Sequence, residues 1–151
     1  MNKPLLSTLT RRVHLTIRRR LHADIQAAGF DDLTPTHLYV FQLPGPDGLR
    51  PTDLADGMNM TKQATNHLLA SLEARGYLER IPAPNDRRGK VLRLTARGRR
   101  VARIMQQSSR RLEAEWADRL GRDALERLRL QLVELSQIAT ADGQRQKTGS
   151  Y

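Results

Sequence analysis

Residues 51–94 spell two helices and a hairpin with almost no chain left over to connect them. Pro51 can open a short helix through Thr52, Asp53, Leu54 and Ala55 to about Gly57, because its fixed φ suits a first helical position. About four residues on, Thr61 is a good N-cap for a second helix, in which Ala64, Thr65, Leu68, Leu69 and Leu72 form one stripe. Gly57 and Asn59 fall in the tight turn between the two, and Gly76 ends the second as a left-handed cap. Tyr77–Ile81 and Val91–Leu94 then read as short strands flanking PNDRRGK, residues 84–90, a turn cluster with two adjacent arginines. The order predicts a helix-turn-helix with a β-hairpin wing directly behind it.

The second helix leaves Lys62, Gln63, Asn66, His67 and Ala70 on the face opposite Leu68 and Leu72. Such a polar edge suits the DNA major groove: Gln and Asn pair with adenine, Lys and His donate to guanine, and Ala70 permits close approach. A solvated surface face is the plain alternative. The wing changes the balance, since its tip can lie along the sugar-phosphate backbone while an arginine enters a narrow A·T minor groove. Asp86, two residues before Arg88, can orient a guanidinium through a paired hydrogen bond. Arg50 and Thr52 at the opening of the first helix, with Arg87 and Lys90 in the wing, complete the candidate DNA contacts.

Long helices flank this centre. Leu5, Leu9, Val13, Ile17, Leu21 and Ile25 recur every four residues over 5–28, ending near Gly29. Another helix is expected from Thr34 as N-cap and Pro35 to about Leu43, broken by PGPDG. Thr95 opens a helix of about 25 residues carrying Val101, Ile104, Met105, Leu112, Trp116 and Leu120, ended by Gly121. Asp123 with Glu126 reads as a capping box before Leu125, Leu128, Leu132, Leu135 and Ala139. These stripes exceed what one small module can cover, and a homodimer is the natural solution, with an intrachain bundle as the alternative. The expected organisation is one domain over 1–140, with a DNA-binding core at 34–95, dimerisation helices at 5–28 and 96–140, and a flexible tail at 141–151. The fold class is mainly α with a small β-wing.

Composition narrows the function. Twenty-six Lys and Arg against 16 Asp and Glu give a net charge of +10, which attracts polyanions. The surplus is placed: residues 61–100 hold ten Lys and Arg against three Asp and Glu, whereas 31–60 hold one against five. Without cysteine there is no disulfide framework, thiol switch or thiolate zinc site. His14 and His22 lie about 80° apart around a helix, a poor metal pair. No phosphate loop, nucleophile or acid–base pair argues for an enzyme, and no cofactor or metal is expected. No run of about 18 apolar residues suggests a membrane span, so the expected location is cytoplasmic. A sequence-tolerant architectural DNA-binding protein is the competing reading of the charge.

The run from Leu54 to Gly98, LADGMNMTKQATNHLLASLEARGYLERIPAPNDRRGKVLRLTARG, resembles the central signature of the MarR family of bacterial transcriptional regulators. The order of elements from roughly Leu5 to Thr140 is similar too. The resemblance implies a homodimer on a pseudo-palindromic operator, usually repressing, and often released when a small, frequently aromatic acid binds between dimer and DNA-binding regions. By position it puts Thr61, Lys62, Gln63, Asn66 and His67 on the recognition helix and Asp86, Arg87 and Arg88 in the wing. Phe41, His37, His14 and Met105 are candidates to line an effector pocket, with core packing as their alternative role. Two positions depart from the family pattern: Ala83 stands where many members have aspartate, and Thr65 where a larger aliphatic is usual. The absence of cysteine excludes the family's peroxide-sensing mode.

Overall fold

The computed structural model describes residues 3–42, 48, 50–83 and 86–148, without the side chains of 86–88 and 142–148. The four-residue apolar repeat of the N-terminal segment becomes α1, Leu6–Ala27, of which only the C-terminal half is buried, at Leu21 and Ile25. Leu5, Leu6, Leu9 and Val13 stay exposed.

The next element departs from expectation. Instead of an α-helix from Pro35, a 3₁₀ helix spans His37–Gln42. Its bonds close over three residues, from Leu38 N–H to the Pro35 carbonyl and from Tyr39 N–H to the Thr36 carbonyl. His37, Leu38, Val40 and Phe41 of this turn are buried in the core. The expected end near Leu43 lies outside the described residues. Thr34 closes onto His37 differently from the expected hydroxyl cap: its carbonyl accepts His37 N–H at 3.0 Å, and its own N–H and hydroxyl lie 3.0 and 3.1 Å from His37 Nδ1.

Helix α2, Pro51–Met58, begins at its proline as expected. Gly57 lies inside the helix rather than in the turn, and the left-handed residue is Asn59, with φ of 50°. Asn59 N–H bonds to Asp56 O and Met60 N–H to Ala55 O, so the last carbonyls are satisfied and the chain reverses within two residues. Helix α3, Lys62–Ala74, buries Thr65, Leu68, Leu69 and Leu72. Ala64, assigned to that stripe from sequence, is exposed. Gly76 ends α3 with φ of 76°, its N–H on Glu73 O while Tyr77 N–H reaches Leu72 O.

The hairpin is longer than its apolar residues suggest. Strands β1, Leu78–Ala83, and β2, Asp86–Leu94, pair antiparallel, so most of the presumed turn cluster is strand. Ladder bonds come from the backbone, which pairs whatever the side chains carry. Leu78 faces Leu94 and Ile81 faces Val91, but Ala83 pairs with Asp86 while Pro82 pairs with Lys90. Arg87, Arg88 and Gly89 therefore have no counterparts on β1. Leu78, Leu92 and Leu94 join one cluster with Ile25, Phe41, Leu69, Leu72, Tyr77, Val101 and Met105.

Thr95 caps the following helix as expected: its hydroxyl oxygen accepts Gly98 N–H at 3.1 Å and its O–H donates to Gly76 O at 2.6 Å. One hydroxyl thus joins the end of α3 to the start of α4, Ala96–Leu120. The approach is close enough that a Cβ on Gly98 would collide with Tyr77 O.

Contacts divide the chain into residues 1–109 and 110–151. In the second unit, α5 spans Arg122–Thr148, its backbone continuing past the boundary expected near residue 140. Asp123 is not its N-cap but sits inside the first turn, where a carboxylate still meets the positive end of the helix dipole, so the expected capping box does not form. Arg129 bridges Glu113 and Glu126 at 2.7 and 3.2 Å. Leu128, Leu132 and Leu135 are exposed. No helix among the described residues is long and apolar enough to cross a membrane.

Two measurements check this packing. Gly98→Ala in an ordinary helix would add roughly 1 kcal/mol; here the clash should reverse the sign and cost about 1–3 kcal/mol in chemical denaturation. His37 is held below the ordinary histidine range first by burial, then by the Arg75 charge, with Asp32 opposing. Because the unfolded chain then binds the extra proton more readily, this contribution is intact above about 6.5, the ordinary histidine value, and stability falls as pH drops below it. His37→Asn, which keeps an acceptor for Thr34 N–H, should flatten that acid limb in unfolding curves at pH 5 and 7.5.

Candidate nucleic-acid interface

Helix α3 divides its residues between two surroundings. Thr65, Leu68, Leu69 and Leu72 are buried beneath it, and Lys62, Gln63, Asn66, His67 and Ala70 are all exposed, as the sequence implied. Thr65 occupies its larger-aliphatic position without leaving a polar orphan, since its hydroxyl donates to Thr61 O at 2.9 Å. Thr61 is the N-cap, its Oγ1 accepting Ala64 N–H at 3.2 Å. Arg50 holds the N-cap position of α2 without a side-chain bond there, and Thr52 is exposed in the first turn.

The wing is tied to this helix. Arg80 on β1 donates from Nε to Glu73 Oε1 on α3 at 2.8 Å, and the bond holds the guanidinium above its usual range. On the wing itself Arg93 forks onto Glu79, its direct cross-strand neighbour, at 2.9 and 3.1 Å. Both arginines are therefore engaged within the module, and Lys90 remains exposed on β2. Asp86, Arg87 and Arg88 have their backbone in β2; the inferred carboxylate–guanidinium pair of Asp86 and Arg88 lies outside the described side chains, as does the tip at Pro84 and Asn85. Ala83 is buried, so the position that departs from the family pattern packs rather than making polar contacts.

The four presumed effector-pocket residues do not converge. Phe41 and Met105 line an open cleft of about 590 Å³ with Gln42, Arg99, Arg103 and Gln106. His37 is buried on Thr34, and His14 bonds the Tyr39 hydroxyl at 3.0 Å. Arg18 stacks 3.7 Å over the Tyr39 ring, and burial lowers its affinity for the proton. Sequence reading missed Arg99 and Arg103, because apolar periodicity marks the buried face of α4 and is silent about the cations beside it. Among the described residues no group of three metal-ligating side chains stands together.

Residues 31–89, which hold both helices and most of the hairpin, match the family model described as MarR family. Over these residues the chain is similar to the MarR family, and its fold is a winged helix-turn-helix. Its fold is similar to that of the transcriptional repressor CouR bound to a 23-mer DNA duplex, at 26% identity over 87% of this chain and 92% of that one, TM-score 0.67. It is similar as well to a Mycobacterium tuberculosis MarR family protein in complex with salicylic acid, at 27% identity over 89% and 98%, TM-score 0.65. A structure of MarR aligns over 96% of this chain and 98% of its own at 20% identity, TM-score 0.78, which speaks to fold alone. No curated protein matches the chain. The MarR family match and the DNA-bound relative together support a DNA-binding transcription regulator.

Thr61→Ala should cost about 1 kcal/mol in urea unfolding without DNA, and Thr61→Ser close to nothing, since only the first deletes the cap oxygen.

Proposed function

We propose that the chain represses transcription as a homodimer bound to a two-fold symmetric operator and is released by a small aromatic acid. The observation that carries the reading is the division of α3: its apolar side is wholly committed to the core, and its polar side, Lys62, Gln63, Asn66 and His67, is left outward on a helix with a cationic wing behind it. Gln63 and Asn66 read adenine edges, Lys62 and His67 donate to guanine, and Thr61, Arg50 and Thr52 stand at the two helix starts. Arg87, Arg88 and Lys90 contact phosphates or a minor groove, with Asp86 orienting Arg88.

Dimerisation is supported by leucine-rich surface that the monomer leaves in water. On α1 this is Leu5, Leu6, Leu9 and Val13; on α5 it is Leu128, Leu130, Leu132, Val133, Leu135 and Ile138. The likeness to the repressor CouR supports the sign of regulation, and the salicylic acid complex supports the class of effector. For such an acid, the Phe41 and Met105 cleft offers apolar walls with Arg99 and Arg103 as counter-charges.

Footprinting should show an inverted repeat with half-sites about one helical turn apart. Gln63→Ala or Asn66→Ala should cost on the order of 1–3 kcal/mol and relax base preference at one position per half-site. Arg88→Ala should weaken binding to most sequences and flatten the salt dependence by about one unit for each phosphate no longer neutralised. Equal affinity for any duplex would favour a sequence-tolerant architectural protein.

A further inference from the structure

Tyr77 is the first residue after the glycine that ends α3, and none of it is exposed. Its backbone is held on both sides, N–H on Leu72 O at 2.9 Å and carbonyl accepting Thr95 N–H at 3.0 Å. The ring meets Phe41 edge-on at 5.8 Å and Phe30 tilted at 6.2 Å. A buried phenol needs partners for its oxygen. It donates to Asp32 Oδ1 at 2.5 Å and accepts from Arg97 Nη2 at 3.0 Å. Arg97 also lies 4.6 Å over the Tyr77 ring and 3.7 Å from Asp32 Oδ2, while the Asp32 carbonyl accepts from Arg75, the residue that closes α3. Three segments distant in sequence, the chain after α1, the end of α3 and the first turn of α4, meet at one oxygen.

We infer that the Asp32–Tyr77–Arg97 network is a positioning device for α3, fixing the pose in which Lys62, Gln63, Asn66 and His67 meet DNA. The inference rests on the reading of α3 as the recognition helix. The two ends of that helix are held differently. Its start is capped by its own Thr61, whereas its end is tied to α4 by Thr95 and to the network by Tyr77. Thirteen residues span roughly 20 Å, so a tilt of about 5° at the tied end moves the first turn by roughly 1.7 Å, more than a paired hydrogen bond to a base edge tolerates. The ion pair itself is half exposed and adds little stability. Its contribution is direction: with the phenol it allows one angle between the end of α3 and α4. Burial, and then the Asp32 bond, push the Tyr77 hydroxyl upward in pKa, which keeps it a donor at neutral pH.

Tyr77→Phe keeps every ring contact and removes only the oxygen. Affinity of the full chain should be measured for an operator selected from a random pool and for an unrelated duplex, with salt slopes and melting temperatures alongside. The operator affinity should fall roughly tenfold, and base preference under α3 should flatten. The unrelated-duplex affinity and the salt slope should stay at the parent's values. Asp32→Ala should reproduce the loss, Asp32→Asn, which keeps an oxygen for the phenol, should restore most of it, and Asp32→Ala with Tyr77→Phe should be no worse than either alone. Should Tyr77→Phe not fold, the Asp32 pair carries the same comparison. Parent-like operator binding by Tyr77→Phe and Asp32→Ala overturns the proposal, and so does a parallel loss on both duplexes, the mark of a merely structural contribution. A parent with no sequence preference takes down the regulator reading and this one with it; a parent with preference and unaffected variants takes down only this one.

Discussion

Helix α3 leaves one side outward, so it can be held only by its other side and by its ends, and much of the structure around it follows from that constraint. Thr65, Leu68, Leu69 and Leu72 commit one side to the core. The far end runs into Gly76 and then a buried Tyr77, whose amide and carbonyl are both taken up within the module. From that junction the hairpin departs and α4 returns, with Thr95 bonded to Gly76 and Gly98 pressed against the Tyr77 carbonyl. Helix, wing and following helix are thereby built off one point.

Charge is governed by position in the same way. The module is rich in arginine, yet the exposed Arg80 and Arg93 are paired with Glu73 and Glu79, and Arg97 with Asp32 and Tyr77. Half-exposed pairs of this kind contribute little to stability, on the order of 0–1 kcal/mol each. They do decide where cationic side chains are held. Lys62 and Lys90 are among the exposed cations of this part of the chain that these pairs do not include.

Much of this was legible from local signals. Pro51, Thr61, Gly76 and Thr95 each mark a boundary through the backbone geometry or the oxygen that the position requires, and all four stand where the sequence placed them. The outward set on α3 followed from 3.6-residue periodicity alone. What failed depended on tertiary context. The segment His37–Gln42 is a 3₁₀ helix, and its buried residues, His37, Leu38, Val40 and Phe41, have a spacing that an α-helix would share, so the sequence pattern could not tell the two apart. The hairpin lengthened because backbone pairing needs no apolar side chains, and Ala64 dropped from the stripe because packing beneath α3 begins one residue later. Asp123 looked like a cap but sits in the first turn, since the helix starts directly after Gly121. Asp32, Tyr77 and Arg97 carried no signal at all, being 45 and 20 residues apart in the chain.

The bulge on β2 has an evolutionary reading. Arg87, Arg88 and Gly89 hang from a ladder whose lower rungs, Leu78 on Leu94 through Pro82 on Lys90, are in unbroken register. In a sheet a one-residue slip normally turns every later side chain to the opposite surface. Residues gained or lost inside an unpaired excursion leave those rungs facing as before. The reach and composition of the finger can therefore drift between related proteins while the frame that holds α3 stays unchanged.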